Sequence, residues 1–239
     1  MKKIQYSLIS IAGQATALVE VSAVPLAAES RAAQARSIMD GNPLIEQVGF
    51  INPTKLPYPK FTMMGNELSI VGTLAAGVWF MTRAKESKVS FVTSGLKQLV
   101  EVEKKDRQLY LTLPKSIIKF VDKSSCWVEL QGIVFLLVYG LRNAKKLKPS
   151  KKSWLEKLSQ TSPAAGIIFY SKQVIQPVIY VKATRSLVWE SACGSGSLAL
   201  FALTGERLVK QPSGATLQIS TQDDKLQVII NYKDVVYDY

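Results

Sequence analysis

Residues 189–205 read WESACGSGSLALFALTG, and this stretch decides how the chain is expected to fold. A strand end, a cysteine, a Gly-Ser-Gly step and an apolar run closed by Gly205 spell a buried helix entered from a strand. Cys193 stands where that helix begins. The unpaired N–H groups and the positive dipole end at a helix start attract anions and favour a thiolate over a thiol. Gly194 and Gly196 let a ligand approach the backbone closely. Cys193 can equally be a buried small hydrophobe, a common fate of cysteine, and the stretch alone leaves both readings open.

The pattern recurs. Ser69-Ile70-Val71-Gly72-Thr73-Leu74-Ala75 lies over Cys193-Gly194-Ser195-Gly196-Ser197-Leu198-Ala199, 124 residues away in a chain of 239. The shared form is [Ser/Cys]-x-x-Gly-[Ser/Thr]-Leu-Ala. Both copies open a helix after a strand, so the chain reads as two pseudo-equivalent halves, each presenting a hydroxyl or thiol at a helix N-terminus. Pro114 sets the boundary: residues 1–114 carry Ser69 and residues 115–232 carry Cys193. A final strand at about 233–239 is free to return to the first half.

The remaining periodicity predicts an α+β fold of many short strands and about four helices. Strands are expected at 4–10 and 15–21 around Ala12-Gly13, and in EQVGFI (46–51), KFTMM (60–64), VSFVTS (89–94), LVEVEKK (99–105) and RQLYLTL (107–113). SCWVEL (125–130), IVFLLVYG (133–140), AGIIFYSK (165–172) and VIQPVIYVKA (174–183) continue the series, and three tail strands end it. Cys126 is expected in the core of its strand. Helices are expected at 28–39, at 66–84 with its start near Ser69, at 150–160 with Ser150 as N-cap, and at 194–205.

Composition narrows the chemistry. The chain has no histidine, which excludes Ser-His-Asp and Cys-His catalysis and any histidine-containing zinc site within it. Two cysteines make neither a disulfide framework nor a thiolate cluster, and a reducing cytoplasm is the expected setting, with no metal. The first residues imitate a signal peptide, but Gln5, Gln14 and Glu20 interrupt the apolar run, and Ile4, Tyr6 and Leu8 alternate as in a strand. No apolar run reaches the ~20 residues of a membrane span. Net charge is +12, and the densest basic run is KKLKPSKK (145–152), five lysines with no acid among them. That run lacks the interleaved aromatics of a single-strand platform and reads as a solvated loop, so neither a nucleic-acid nor a membrane partner is expected.

Five segments in order carry a resemblance: LIEQVGFI (44–51), MMGNEL (63–68), QPVIYV (176–181), WESACGSG (189–196) and KQPSGATLQIS (210–220). Together they resemble the diaminopimelate-epimerase-like superfamily, and within it the histidine racemases of staphylopine-type metallophore biosynthesis. The resemblance implies two similar halves, each a curled, mainly antiparallel sheet around a central helix, with the active site in the cleft between them. It implies a racemase or epimerase that works without pyridoxal phosphate or any other cofactor, on a small-molecule amino acid. In that family two cysteines, one from each half, face opposite sides of the substrate α-carbon.

By that resemblance Cys193 is the thiolate base, with Gly194, Ser195 and Gly196 cradling the substrate carboxylate. Glu190 lies near the ammonium. Gln14, Glu46, Gln47 and Asn66 fall on substrate-contacting segments, and Glu46 faces a cationic side chain such as imidazolium. Gly72 and Thr73 belong to the first cradle. The chain departs from the family at Ser69-Ile70-Val71, where the family has Cys-Gly-Asn, and near Gln131-Gly132, where a Gly-Asn is lost. Ser69 replaces the second catalytic cysteine, and no histidine is present to activate it. A slow racemase, a one-base lyase or isomerase of dehydratase type, and a catalytically retired binding protein all remain open. So do the identity of the amino acid and a homodimeric assembly.

Overall fold

Ala12 and Gly13 have φ of 56° and 84°, the left-handed pair that a two-residue hairpin turn demands. They join β1 (Ser7–Ile11) to β2 (Gln14–Glu20). The computed structural model describes residues 4–21, 26–54, 57–141, 150–232 and 236–238. After β2, α1 (Ala28–Gly41) crosses to β3 (Gln47–Asn52), which runs parallel to β2 with Thr16 opposite Gln47. Then β4 (Lys60–Met63) pairs antiparallel with β3, and α2 (Ile70–Ala84) crosses to β5 (Lys88–Thr93), parallel to β4. A meander of β6 (Leu99–Lys105) and β7 (Gln108–Pro114) completes the unit.

The second half repeats this order. After β8 (Ile118–Asp122), the hairpin of β9 (Trp127–Leu130) and β10 (Ile133–Tyr139) turns at Gln131-Gly132. Next, α3 (Ser150–Leu158) crosses to β11 (Ala164–Ser171), parallel to β10, and β12 (Val174–Val181) returns antiparallel. An extra strand, β13 (Ser186–Trp189), pairs with β12 before α4 (Gly194–Thr204) crosses to β14 (Leu208–Lys210), parallel to β12. The meander of β15 (Thr216–Gln222) and β16 (Lys225–Asn231) follows. Pairing of β16 with β7 joins the two curls, and β17 (Val236–Asp238) pairs with β1.

The expected α+β fold of two similar halves is therefore the fold observed. Two strands lie outside the expected series, and one local expectation fails. The segment Ile118–Asp122 forms β8, although none of its residues is fully buried and it gives no buried alternation. The four residues of β13 are too few to register as a period. Cys126 is not in a strand: with φ of 55° it closes the turn before β9 and stays half-buried rather than in the core. Of the lysine run, residues 145–149 lie outside the described residues.

Residues 70–81 of α2 are all buried. A helix apolar on every side belongs inside a protein, and here β1 to β6 wrap around it. In the same way α4 packs against β8, β9, β10, β11 and β15. The hairpin tips lock the halves together. At Gly13 an added Cβ would stand 2.7 Å from Ser213 Cβ, across on the second half, and Ser213 Oγ donates to the Ala12 carbonyl. Reciprocally, a Cβ at Gly132 would meet Gly95 Cα at 2.9 Å. Both glycines have positive φ, so turn geometry and close approach require the same residue. Among the described residues no helix is long and apolar enough to cross a membrane.

Candidate active site

Ser69 and Cys193 do the same structural work. Each is the N-cap of its central helix in extended backbone, and each side chain accepts the N–H three residues on: Ser69 Oγ from Gly72 at 2.9 Å, Cys193 Sγ from Gly196 at 3.3 Å. The two helix starts meet. Ile70 N–H donates to Ser195 Oγ at 3.4 Å, and that hydroxyl donates to the Leu68 carbonyl at 3.3 Å. Any Cβ at Gly194 would lie 2.5 Å from Ile70 Cγ2, so only glycine lets the helix ends approach this closely. Two positive dipole ends thus converge on one spot, a natural seat for a carboxylate.

That spot is the floor of a cleft between the halves. Ser69, Cys193, Gly194 and Ser195 line it beside Gln14, Glu46, Gln47 and Glu190. Met63, Met64, Leu68, Ile133, Ile179, Val181 and Val188 form its apolar walls. Its free room is about 20 Å³, roughly one water, so an amino acid enters only if the halves part or wall side chains turn.

One polar chain runs along the wall. Ser69 Oγ donates to Gln47 Oε1 at 2.8 Å, and Gln47 Nε2 donates to Thr16 Oγ1 at 2.7 Å and to Gln14 Oε1 at 3.3 Å. Gln14 Nε2 donates to Glu46 Oε2 at 3.3 Å. Glu46 in turn accepts the Ser191 N–H at 2.8 Å and the Ser191 hydroxyl. The parallel register of β2 and β3 puts Gln14, Thr16 and Gln47 together on one face. The Glu46–Ser191 contact ties residues 145 positions apart.

The site is acidic. Cys193 and Gln14 beside Glu190 favour its carboxylate, yet burial of the carboxyl, reinforced by the charge of Glu46, pushes it up to about 8. Burial likewise raises Glu67, another cleft-lining residue, to about 7. Burial and then the neighbouring Glu190 carboxylate push the Cys193 thiol well above its ordinary range, outweighing the Gly196 N–H that favours the thiolate. The expectation of a lowered thiol pKa is therefore corrected: burial and the neighbouring carboxyl of Glu190 favour the thiol of Cys193. A helix start lowers a thiol pKa only when burial and anions do not oppose it.

Asn66 is exposed, at φ 66° in the turn before α2, and does not line the cleft. Thr73 faces the interior of the first half, donating to the Ser69 carbonyl at 2.6 Å and sharing a hydrogen bond with Thr93. Gly72 and Gly196 lie one turn into their helices and hold the caps. Sequence reasoning missed Glu67, Ser191 and Gln211. Buried Gln211 accepts the Cys193 N–H at 2.8 Å and donates to Ser197 Oγ at 2.9 Å, fixing the start of α4. Glu67 and Gln211 lie inside MMGNEL and KQPSGATLQIS, but nothing in those segments alone distinguishes an inward polar residue from a turn residue.

Two repeated curls around buried helices, with helix starts meeting at an inter-half cleft, define the diaminopimelate-epimerase-like fold. The matching family model is described as the histidine racemase CntK N-terminal domain; it spans residues 3–236, and the chain belongs to this family. The fold is shared with a predicted epimerase from Pseudomonas aeruginosa, at 12% identity and a TM-score of 0.64, over 99% of each chain. It is also shared with a phenazine biosynthesis protein of the PhzF family from Enterococcus faecalis, at 13% identity and a TM-score of 0.57, over 98% of this chain and 99% of that one. A PhzF-family protein from Bacillus anthracis gives 11% identity and a TM-score of 0.56, over 99% of this chain and 97% of that one. No curated protein matches the chain.

Proposed function

We propose that the chain is a cofactor-independent amino-acid racemase or epimerase that removes and returns the α-proton, with histidine as the first substrate to test. The observation that carries this reading is the convergence of Ser69 and Cys193, each capping a central helix, on one cleft beside Glu190. The substrate carboxylate sits at the joined helix starts, on the N–H groups of Gly194 and Ser195. The α-ammonium lies against Glu190, and Gln14, Gln47 and Glu46 complete the polar wall. Among the described residues no lysine lines the cleft to form an imine with a carbonyl cofactor.

The raised pKa values support a substrate-assisted step. Burial makes Glu190 a stronger base than a solvated carboxylate, and a substrate ammonium in the cleft offsets the negative charge of a Cys193 thiolate. Glu190 then takes the Cys193 proton, and the thiolate takes the α-proton as negative charge develops against the helix starts. Ser69 is no second acid of equal strength, because its hydroxyl is tied to Gln47 Oε1 and Gly72 N–H with no base beside it. Proton exchange on the Cys193 face therefore outruns inversion. We also propose that the halves divide at Pro114, a boundary the repeated strand order supports. A D-histidine product would serve metallophore assembly in a cytoplasmic setting. The test is chiral chromatography of L-histidine incubated with the protein. Slow accumulation of D-histidine is expected, and its complete absence despite demonstrated binding points to a one-sided lyase or a retired site.

A further inference from the structure

The buried carboxyl of Glu67 has one oxygen spoken for and one to spare. Oε2 accepts the Gly65 N–H at 2.8 Å, while Oε1 is buried without a hydrogen-bond partner. The residue is 3% exposed and lines the cleft. An added Cβ at Gly65 would stand 2.5 Å from Val181 Cγ1 and 2.8 Å from Glu67 Oε2, so the carboxyl is wedged near β12 of the opposite half. Its cleft neighbours include the apolar Met64, Leu68, Ile179 and Val181. An unmade bond to a buried carboxyl oxygen costs free energy, and such an exception calls for a missing partner.

The other two acids of the cleft are already engaged. Glu46 uses both oxygens on Ser191 and Gln14, and Glu190 stands beside Cys193 and Gln14 at the reacting end of the cleft. Neither lysine nor arginine lines the cleft among the described residues. Of the charged groups that act on Glu67, Arg31 of α1 lowers its pKa, and Glu67 and Glu190 repel each other.

We propose that Glu67 anchors the basic end of the substrate side chain: its unpartnered oxygen receives a terminal nitrogen, and the apolar wall holds the carbon stem. The substrate class is then α-amino acids whose side chain ends in a basic nitrogen. This rests on the functional reading above and moves the side-chain contact from Glu46 to Glu67. Burial keeps the carboxyl protonated up to about 7, so a neutral imidazole can take that proton to give a carboxylate–imidazolium pair. A lysine or ornithine ammonium instead displaces the proton to solvent.

The experiment is titration calorimetry at pH 7 with L-histidine and L-lysine as basic probes and L-leucine and L-glutamine as neutral ones. The wild type is expected to bind a basic probe roughly 10–100-fold more tightly than L-leucine, the scale of a hydrogen bond to a charged group. Glu67→Gln keeps an oxygen for the Gly65 N–H and is expected to erase that preference by weakening only the basic probes. Equal weakening of all four probes, or an unchanged preference, overturns the anchor. So does a wild type without preference, a readout that needs no folded variant. A wild type that binds neutral probes alone overturns the anchor but leaves the racemase reading standing, whereas one that binds no amino acid defeats both.

Discussion

Glu67→Gln is expected to make the protein more stable at alkaline pH and to change its stability far less at pH 5. The side chain is 3% exposed, and burial raises its carboxyl from 4.5 to about 7. The folded state thus holds a proton that the unfolded chain has released. Stability from this group is complete below about 4.5 and is lost as pH rises through about 7. The shift of some 2.5 units corresponds to about 3 kcal/mol of lost stability once the carboxyl is ionised in both states. Glutamine mimics the protonated acid and has nothing to lose. Removing this charge also relieves Glu190, which Glu67 raises, so the coupling acts in the same direction. The assay is urea unfolding followed by tryptophan fluorescence at pH 5, 7 and 9. The variant's advantage should grow from about 1 kcal/mol at pH 5 to about 3 kcal/mol at pH 9. A difference independent of pH, or a wild type that gains on the variant as pH rises, would refute the assignment of a buried neutral carboxyl.

Two further substitutions probe the helix starts. Ser69→Cys supplies a second thiol at the equivalent cap and should speed inversion of histidine by roughly 10–100-fold, within the range of a positioned acid; chiral chromatography reads the gain, and no gain in a histidine-binding variant removes Ser69 from the reacting face. Gly194→Ala should cost about 1–3 kcal/mol in urea unfolding through overpacking, because its Cβ would lie 2.5 Å from Ile70 Cγ2. Ile70→Ala in the same chain should recover part of that loss, and strictly additive effects would mean that the two helix starts do not touch.

The fold was legible where chemistry is local. The Ser69 and Cys193 caps, the Ala12-Gly13 hairpin and the Gly205 helix stop each depend on a few neighbouring residues. The repeat of a cap before Gly-[Ser/Thr]-Leu-Ala exposed the two halves because both helices obey the same burial constraint. What stayed hidden depends on contacts between halves or on weak patterning. Ser191 clamps Glu46 across 145 positions, and Gln211 reaches the Cys193 N–H because the chain just after β14 returns to the start of α4. Glu67 is a turn residue by sequence and a cleft residue by topology. The lowered thiol pKa failed for the same reason: a helix start is visible locally, while the carboxylates crowding Cys193 from Glu46 and Glu190 are assembled by the fold.

The central claim is that Cys193 exchanges the α-proton of a bound amino acid. Its most direct test follows the α-proton resonance of L-histidine in D2O by NMR, with wild-type protein and with Cys193→Ala. Substitution removes one buried thiol that accepts only the Gly196 N–H as a cap, so circular dichroism should show an intact fold. The account predicts that wild-type protein washes out the α-proton faster than it forms D-histidine, and that Cys193→Ala does neither. Exchange that persists undiminished in Cys193→Ala would contradict it.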